Sequence, residues 1–168
     1  MKFLAFAFCA FLFQLLLASP TFAATQTMTA NIGFDTSLTI TKGNDINLGS
    51  VKATQAGTYV IAPNGGVTAS NGGVYLGGGT QAGSLTIAGS STQTVDISAN
   101  NYVANAGVTP SAATCAYNTG AAVPCSLASQ TAPGVGKPLL IGVTVAVDGT
   151  QNVGTSAAPS FDIVVNYH

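Results

Sequence analysis

Apolar residues recur at every second position along much of this chain, and clusters of glycine and asparagine interrupt the pattern at short intervals. This period of two is typical of β-strands that bury one face, whereas a helix repeats its apolar residues about every 3.6 positions. The clearest example is residues 139–147, where Leu, Ile and Val occupy all the odd positions. We therefore expect an all-β fold, specifically an immunoglobulin-like β-sandwich, with a β-barrel as the alternative.

Residues 1–23 have the pattern of a secretion signal peptide. Lys2 precedes an apolar stretch, and Thr21 and Ala23 place small residues where signal peptidase requires them. We expect cleavage after Ala23 and export through the inner membrane into the periplasm. A retained membrane anchor is the alternative, but the apolar stretch is short for a bilayer span and ends at Pro20.

Charged side chains are scarce in this sequence, which argues against several classes of function. The chain has four Lys, five Asp, no Arg and no Glu, and its single histidine, His168, is the last residue. Nucleic-acid binding requires clustered Lys and Arg, zinc binding requires several His or Cys ligands, and acid–base catalysis usually requires His, Glu or paired Asp. We therefore predict no enzymatic activity, no metal, no cofactor and no nucleic-acid partner.

Two cysteines, Cys115 and Cys125, remain after removal of the signal peptide. An even number of cysteines in an exported chain indicates one disulfide, with a pair of free thiols as the alternative. Both lie in residues 105–137, which contain three prolines and little apolar alternation. We expect this region to be a long loop, either an insertion held by the disulfide or a loop that contacts a receptor or a neighbouring subunit.

Two alternating segments stand at the ends of the processed chain. In the first, residues 24–34, the apolar side chains at alternate positions are those of Met28, Ala30, Ile32 and Phe34. In the last strand they are those of Phe161, Ile163, Val165 and Tyr167. A sandwich that lacks a strand can be completed by a strand from a neighbouring molecule, and a contact of this kind that does not close on itself propagates into a fibre.

Several short stretches of the chain resemble an uncharacterised family of small secreted bacterial β-proteins. The stretches that carry the resemblance are Leu38-Thr39-Ile40-Thr41, residues 45–49, residues 59–63, residues 83–89 and residues 161–167. That family is similar in pattern to subunits of chaperone–usher pili, nearest the archaic branch related to spore-coat-U-like proteins.

The resemblance implies a pilin-like structural subunit that assembles by exchange of donor strands. Such a subunit would pass through the periplasm to the cell surface or into an extracellular filament. Residues 24–34 would be the donor, and residues 35–168 would form a sandwich. Its acceptor groove would be lined by residues of the last strand, namely Phe161, Ile163, Val165 and Tyr167. The partners would be other copies of the chain, with a periplasmic chaperone and an outer-membrane usher during export. Two features depart from the best-known pilins, because the cysteines lie late in the chain and Gly33 has the opposite parity to Ile32.

One other interpretation remains open from the sequence. The first alternating segment can be the ordinary first strand of a complete, self-contained domain. Such a domain would be a secreted or surface binding module, either an adhesin or a coat protein. Its ligand surface would be residues 105–137 or the tyrosines Tyr59, Tyr75, Tyr102 and Tyr117.

Overall fold

The computed structural model describes residues 24–168, so the predicted signal peptide lies outside the described residues. Residues 24–34 form neither helix nor strand and are exposed along their whole length. The folded unit runs from Asp35 to His168. Within residues 24–168, no helix long and apolar enough to cross a membrane is found.

The folded unit consists of strands joined by turns and loops. In chain order they are β1 (Thr39–Asn44), β2 (Ser50–Val51), β3 (Gly57–Ile61), β4 (Val67–Ser70), β5 (Tyr75–Gly77), β6 (Gly83–Ala88), β7 (Val95–Val103), β8 (Val108–Tyr117), β9 (Val123–Pro124), β10 (Ser126–Gln130), β11 (Lys137–Val147) and β12 (Ser160–Tyr167).

Strand β11 organises the large sheet, in which β1, β3, β4, β6, β8, β9 and β11 are antiparallel neighbours. Along residues 139–147, β11 pairs with β8. Its other edge is shared, because residues 137–141 pair with β6 and residues 143–147 pair with β3. Gly142 lies at this junction, where an added Cβ would be only 2.2 Å from the carbonyl oxygen of Ile61. Position 142 on β11 therefore needs a glycine, because a side chain there would clash with the backbone at the end of β3.

The small sheet has the order β10–β7–β12 and packs against part of the large sheet. The main core contains residues from both sheets, including Ile87 and Leu139 from the large one and Val95 and Ile97 from the small one. Strands β2 and β5 form a separate two-stranded ribbon. The prediction of an all-β, sandwich-like fold is therefore confirmed.

A disulfide joins Cys115 on β8 to Cys125, the residue before β10, with a Cα–Cα distance of 4.9 Å. Both cysteines are buried in the main core. The backbone at Cys125 also reaches both sheets, because its amide donates to the carbonyl of Ala113 at 2.9 Å and its carbonyl accepts from the amide of Ala99 at 3.0 Å. The disulfide thus fixes the place where the chain crosses from the large sheet to the small one.

The expectation of a long loop over residues 105–137 is wrong, because β8, β9 and β10 lie in this region. Two features hid β8 from the sequence pattern. Ala112 has a positive φ of 41° and belongs to a β-bulge opposite Val143, which shifts the alternation by one residue. The buried side chains of β8 also include none of Val, Ile or Leu, since they are those of Pro110, Ala113, Cys115 and Tyr117.

Candidate functional site

A groove with a volume of about 1470 Å³ lies between the edge of β12 and the inner face of the large sheet. Its floor is apolar and includes Ile61, Ile141, Val143, Val145 and Val147. These side chains share one face because strand residues two apart point the same way. The groove therefore presents a continuous apolar surface beside the small sheet.

Strand β12 borders the groove with its edge. Five consecutive residues, Ser160–Val164, line the groove, although neighbouring side chains on a strand point to opposite faces. The ring of Phe161 stacks on that of Tyr102, with centroids 5.4 Å apart and an interplanar angle of 24°. This stacking fixes Phe161 against β7 and leaves the backbone edge of β12 facing the groove.

The backbone groups on that edge can be assigned from the pairing of β12 with β7. The amide of His168 donates to the carbonyl of Thr94 at 3.0 Å. In an antiparallel ladder, directly opposed residues alternate between hydrogen-bonded and non-hydrogen-bonded pairs. The even-numbered residues of β12 therefore bond to β7. The N–H and C=O groups of Phe161, Ile163 and Val165 face the other edge, which pairs with no strand within residues 24–168.

The groove is closed at the C-terminal end of β12 by the first residues of the folded unit. The hydroxyl of Tyr167 donates to the carbonyl of Thr36 and accepts from the amide of Ser90 at 2.7 Å. The buried hydroxyl of Ser90 in turn donates to the carboxylate of Asp35 at 2.6 Å. These bonds, with the side chain of Leu38 against the core, hold residues 35–38 over this end of β12.

Hydrogen bonding also affects the acidity of Asp35. The bond from the Ser90 hydroxyl and a second bond from the amide of Thr36 lower the pKa of the Asp35 carboxyl below its ordinary value of 3.8. The carboxylate is therefore the favoured form at neutral pH. Its hydrogen bond with Ser90 holds Asp35, the first residue of the folded unit, in place.

The opposite wall of the groove is formed by β1 and by the segment that follows it. Ile40, Lys42 and Asn44 line the groove from β1. Lys42 Nζ donates to both carboxylate oxygens of Asp45, at 2.7 and 2.8 Å. Both side chains are exposed, so this ion pair marks the polar rim of the groove and contributes little to stability.

Residues 151–159, in the loop that connects β11 to β12, line the groove at its other end. Two hydrogen bonds attach this loop to the turn between β7 and β8. Gln151 Nε2 donates to the carbonyl of Ala106 at 2.9 Å, and the amide of Ala158 donates to Asn105 Oδ1 at 3.0 Å. The loop is thus held near both of its ends.

The residues predicted as a donor strand lie in the exposed segment that precedes the folded unit. Met28, Ile32 and Phe34 are 87, 77 and 91% exposed, and Ala30 is also exposed. Their side chains alternate with polar or small residues in the sequence, but the segment has no strand structure here. Its role as a donor is therefore taken up as a proposal below.

The predicted groove residues divide into two pairs. Phe161 and Ile163 line the groove. All four side chains pack against the main core, but Val165 and Tyr167 do not line the groove. This differs from the expectation that all four line the groove, and at the closed end the hydroxyl of Tyr167 is hydrogen-bonded to Thr36 and Ser90.

The tyrosines suggested as a ligand surface are not gathered on the surface. Tyr59 is fully buried and Tyr117 is 6% exposed, while Tyr102 is occupied by its stack on Phe161. The interpretation of these residues as one binding surface is therefore wrong. Among the described residues, no group of three or more His, Cys, Asp or Glu side chains is placed to hold a metal ion.

Sequence patterns did not identify two parts of the site. The loop over residues 151–159 contains no regular alternation, and the role of Ser90 depends on a contact with Asp35, which is distant in the chain. The only local signal for Ser90 is its position in a Gly-Ser-Ser turn after an alternating strand.

Comparison of the sequence with known protein families agrees with the extent of the fold. The family described as a domain of unknown function (DUF4402) matches residues 38–167, which include all the strands from β1 to β12. No curated protein and no solved structure matches the chain. The expectation of an uncharacterised family of β-proteins is thus confirmed at this level, and the chain belongs to the DUF4402 family.

Proposed function

We propose that this protein is a structural, pilin-like subunit of an extracellular filament, in which the N-terminal segment of one copy completes the sandwich of the next. The observation that carries the proposal is the unpaired edge of β12 beside an apolar groove. The same chain also contains a segment suited to fill this acceptor, because residues 24–34 are uncharged, exposed and apolar at alternate positions.

An added strand would satisfy both chemical requirements of the groove. Its backbone would pair with the N–H and C=O groups that Phe161, Ile163 and Val165 direct away from β7. Its apolar side chains would contact the floor formed by β3 and β11. Burial of Met28, Ala30, Ile32 and Phe34 would contribute roughly 4–8 kcal/mol, at about 1.5–3 kcal/mol for each large side chain and less for alanine.

The closed end of the groove determines how the donor is oriented. Residues 35–38 occupy the end near Tyr167, so a strand from another molecule has access from the end near Ser160. Phe34 is the donor residue nearest its own folded unit and would therefore lie near Ser160 of the acceptor. Met28 would lie deeper, which makes the donor antiparallel to β12.

This contact joins two different surfaces and therefore does not close into a dimer. Each subunit offers a donor and a groove, so the same contact repeats and produces a fibre. The partners are then other copies of the chain. Before assembly the open edge is an aggregation hazard, which favours a periplasmic chaperone and an outer-membrane usher during export to the cell surface.

The test compares the processed chain with a variant that lacks residues 24–34. The processed chain should form long filaments in electron micrographs, and the variant should remain monomeric. A synthetic peptide of residues 24–34 should bind the shortened variant and raise its melting temperature, whereas a peptide of the same composition in scrambled order should not.

Filaments of undiminished length from the shortened variant would exclude the proposal. A processed chain that stays monomeric, with its own residues 24–34 paired to β12, would also exclude it. That second result would favour a self-contained surface binding module.

A further inference from the structure

We propose that successive subunits also dock end to end, with Val135 of one copy against Val153 of the next. This inference rests on the proposed filament and adds a second contact to the donor strand. Val135 is fully exposed and Val153 is 90% exposed, while the next most exposed large apolar side chain of the folded unit, Leu76, is 63% exposed. Both side chains are therefore free to contact another molecule.

The two valines lie at opposite ends of the folded unit. Val135 precedes β11, in a segment tied to the turn after β6 by two backbone hydrogen bonds of 2.9 Å between Gly134 and residues Gly89 and Ser90. Val153 lies in the loop after β11. Strand β11 separates the two loops, and its 11 residues span about 33 Å at roughly 3.3 Å per residue.

The chain emerges at the Val135 end and the groove opens at the Val153 end. Ser90 binds both Asp35 and the hydroxyl of Tyr167, so the point of emergence adjoins the Val135 loop. The loop that carries Val153 lines the open end of the groove. In a filament with the donor orientation proposed above, the Val135 end of each subunit therefore faces the Val153 end of its neighbour.

The connection between subunits is too short to keep these ends apart. Phe34 is the last donor residue, and the next residue, Asp35, is held by Ser90 on its own folded unit. Consecutive Cα atoms are only about 3.8 Å apart. Insertion of Phe34 at the mouth of one groove thus brings the Asp35 end of the donor subunit against that mouth.

The chemistry of the two loops suits contact between copies of this chain. Val135 lies between Gly134 and Gly136, and Val153 is followed by Gly154, so neither valine is shielded by a large neighbour on that side. Residues 131–136 and residues 152–159 contain no charged side chain that would have to lose its hydration. The contact is small and should orient the subunits, while the donor strand holds them together.

Cross-linking of the filament tests this arrangement. In the processed chain carrying Val135→Cys and Val153→Cys together, mild oxidation should produce a ladder of covalent dimers, trimers and longer species on a denaturing gel without reductant. Either single variant should give about tenfold less of these species, because the contact joins position 135 to position 153. The matched control pairs Val135→Cys with Val103→Cys, since Val103 is also exposed and lies near the end of β7 that is close to Ser160.

The outcomes separate this inference from the proposed filament. If electron micrographs show filaments but the doubly substituted chain gives no more ladder than the Val103 control, end-to-end docking is wrong and the filament stands. Dimers from Val135→Cys alone would indicate contact between like ends and would also overturn the proposed contact of Val135 with Val153. Absence of filaments from the unsubstituted chain would instead refute the proposed function, before any cross-linking is attempted.

Discussion

The hydroxyl of Tyr167, one residue from the C-terminus, donates to the carbonyl of Thr36, the second residue of the folded unit. The same hydroxyl accepts a hydrogen bond of 2.7 Å from the amide of Ser90. One side chain thus connects the first segment, the last strand and the turn between β6 and β7. Gly89 permits this approach, because a Cβ at that position would lie 2.4 Å from the tyrosine oxygen.

Replacement of Tyr167 by phenylalanine should lower the free energy of unfolding by about 1–2 kcal/mol, because it leaves the Ser90 amide and the Thr36 carbonyl without their partner. Urea denaturation followed by circular dichroism would measure the change. Tyr75→Phe is the matched control, since the Tyr75 hydroxyl has no hydrogen-bond partner within residues 24–168. Equal effects of the two substitutions would contradict a specific role for the Tyr167 hydroxyl.

Loss of the disulfide should destabilise the domain by roughly 2.7 kcal/mol, the loop-closure estimate for a disulfide spanning about ten residues. Cys125 lies 10 positions after Cys115. The variant with Cys115→Ala and Cys125→Ala and the reduced unsubstituted chain should both show a lower urea midpoint. Comparison of the two separates the cross-link from the packing of the sulfur atoms, because only the variant loses those atoms. An unchanged midpoint after complete reduction would contradict this prediction.

Stability should fall as the pH drops below about 4. The pKa values of Asp35, Asp96 and Asp148 are lowered from 3.8, mainly by hydrogen bonds from the Ser90 hydroxyl, the Ser129 amide and the Thr150 amide respectively. A carboxyl whose folded pKa is below its unfolded value stabilises the fold above the unfolded pKa, and this stabilisation is lost as the pH falls through the folded pKa.

Urea midpoints measured between about pH 2.5 and pH 6 would test this pH dependence. Asp35→Asn should reduce the slope in the acidic range, because its amide does not titrate. Asp45→Asn, which removes an exposed ion pair with Lys42, controls for the loss of one negative charge. A steeper acid loss in Asp35→Asn than in the unsubstituted chain would contradict the assignment.

The sequence predicts the strands whose buried residues are Val, Ile or Leu at strict alternate positions, and β11 is the clearest of them. It fails for β8, where a bulge at Ala112 breaks the period. It also predicts the last strand at residues 161–167, but it cannot indicate that Val165 and Tyr167 lie outside the groove. The hydrogen bond from Tyr167 joins it to Thr36, more than a hundred positions earlier, and a local pattern carries no information on such contacts.

Neighbouring residues of the N-terminal segment allow a direct test of the donor strand. In a strand, Asn31 and Ile32 point to opposite faces, so only Ile32 would enter the groove. Ile32→Asp should abolish filaments, because it places a charge without a partner in an apolar site and removes an apolar contact of about 1.5–3 kcal/mol. Asn31→Asp adds the same charge on the outer face and should leave filament length unchanged.

Both residues lie in the exposed segment before Asp35, so neither substitution should alter the free energy of unfolding of the folded unit. Filament length would be measured by electron microscopy, and folding of each variant would be checked by its urea midpoint. Equal filament lengths for the two variants would contradict insertion of this segment as a β-strand. Loss of filaments in Asn31→Asp alone would reverse the predicted face and shift the donor register by one residue, because a shift of one position exchanges the two faces of a strand.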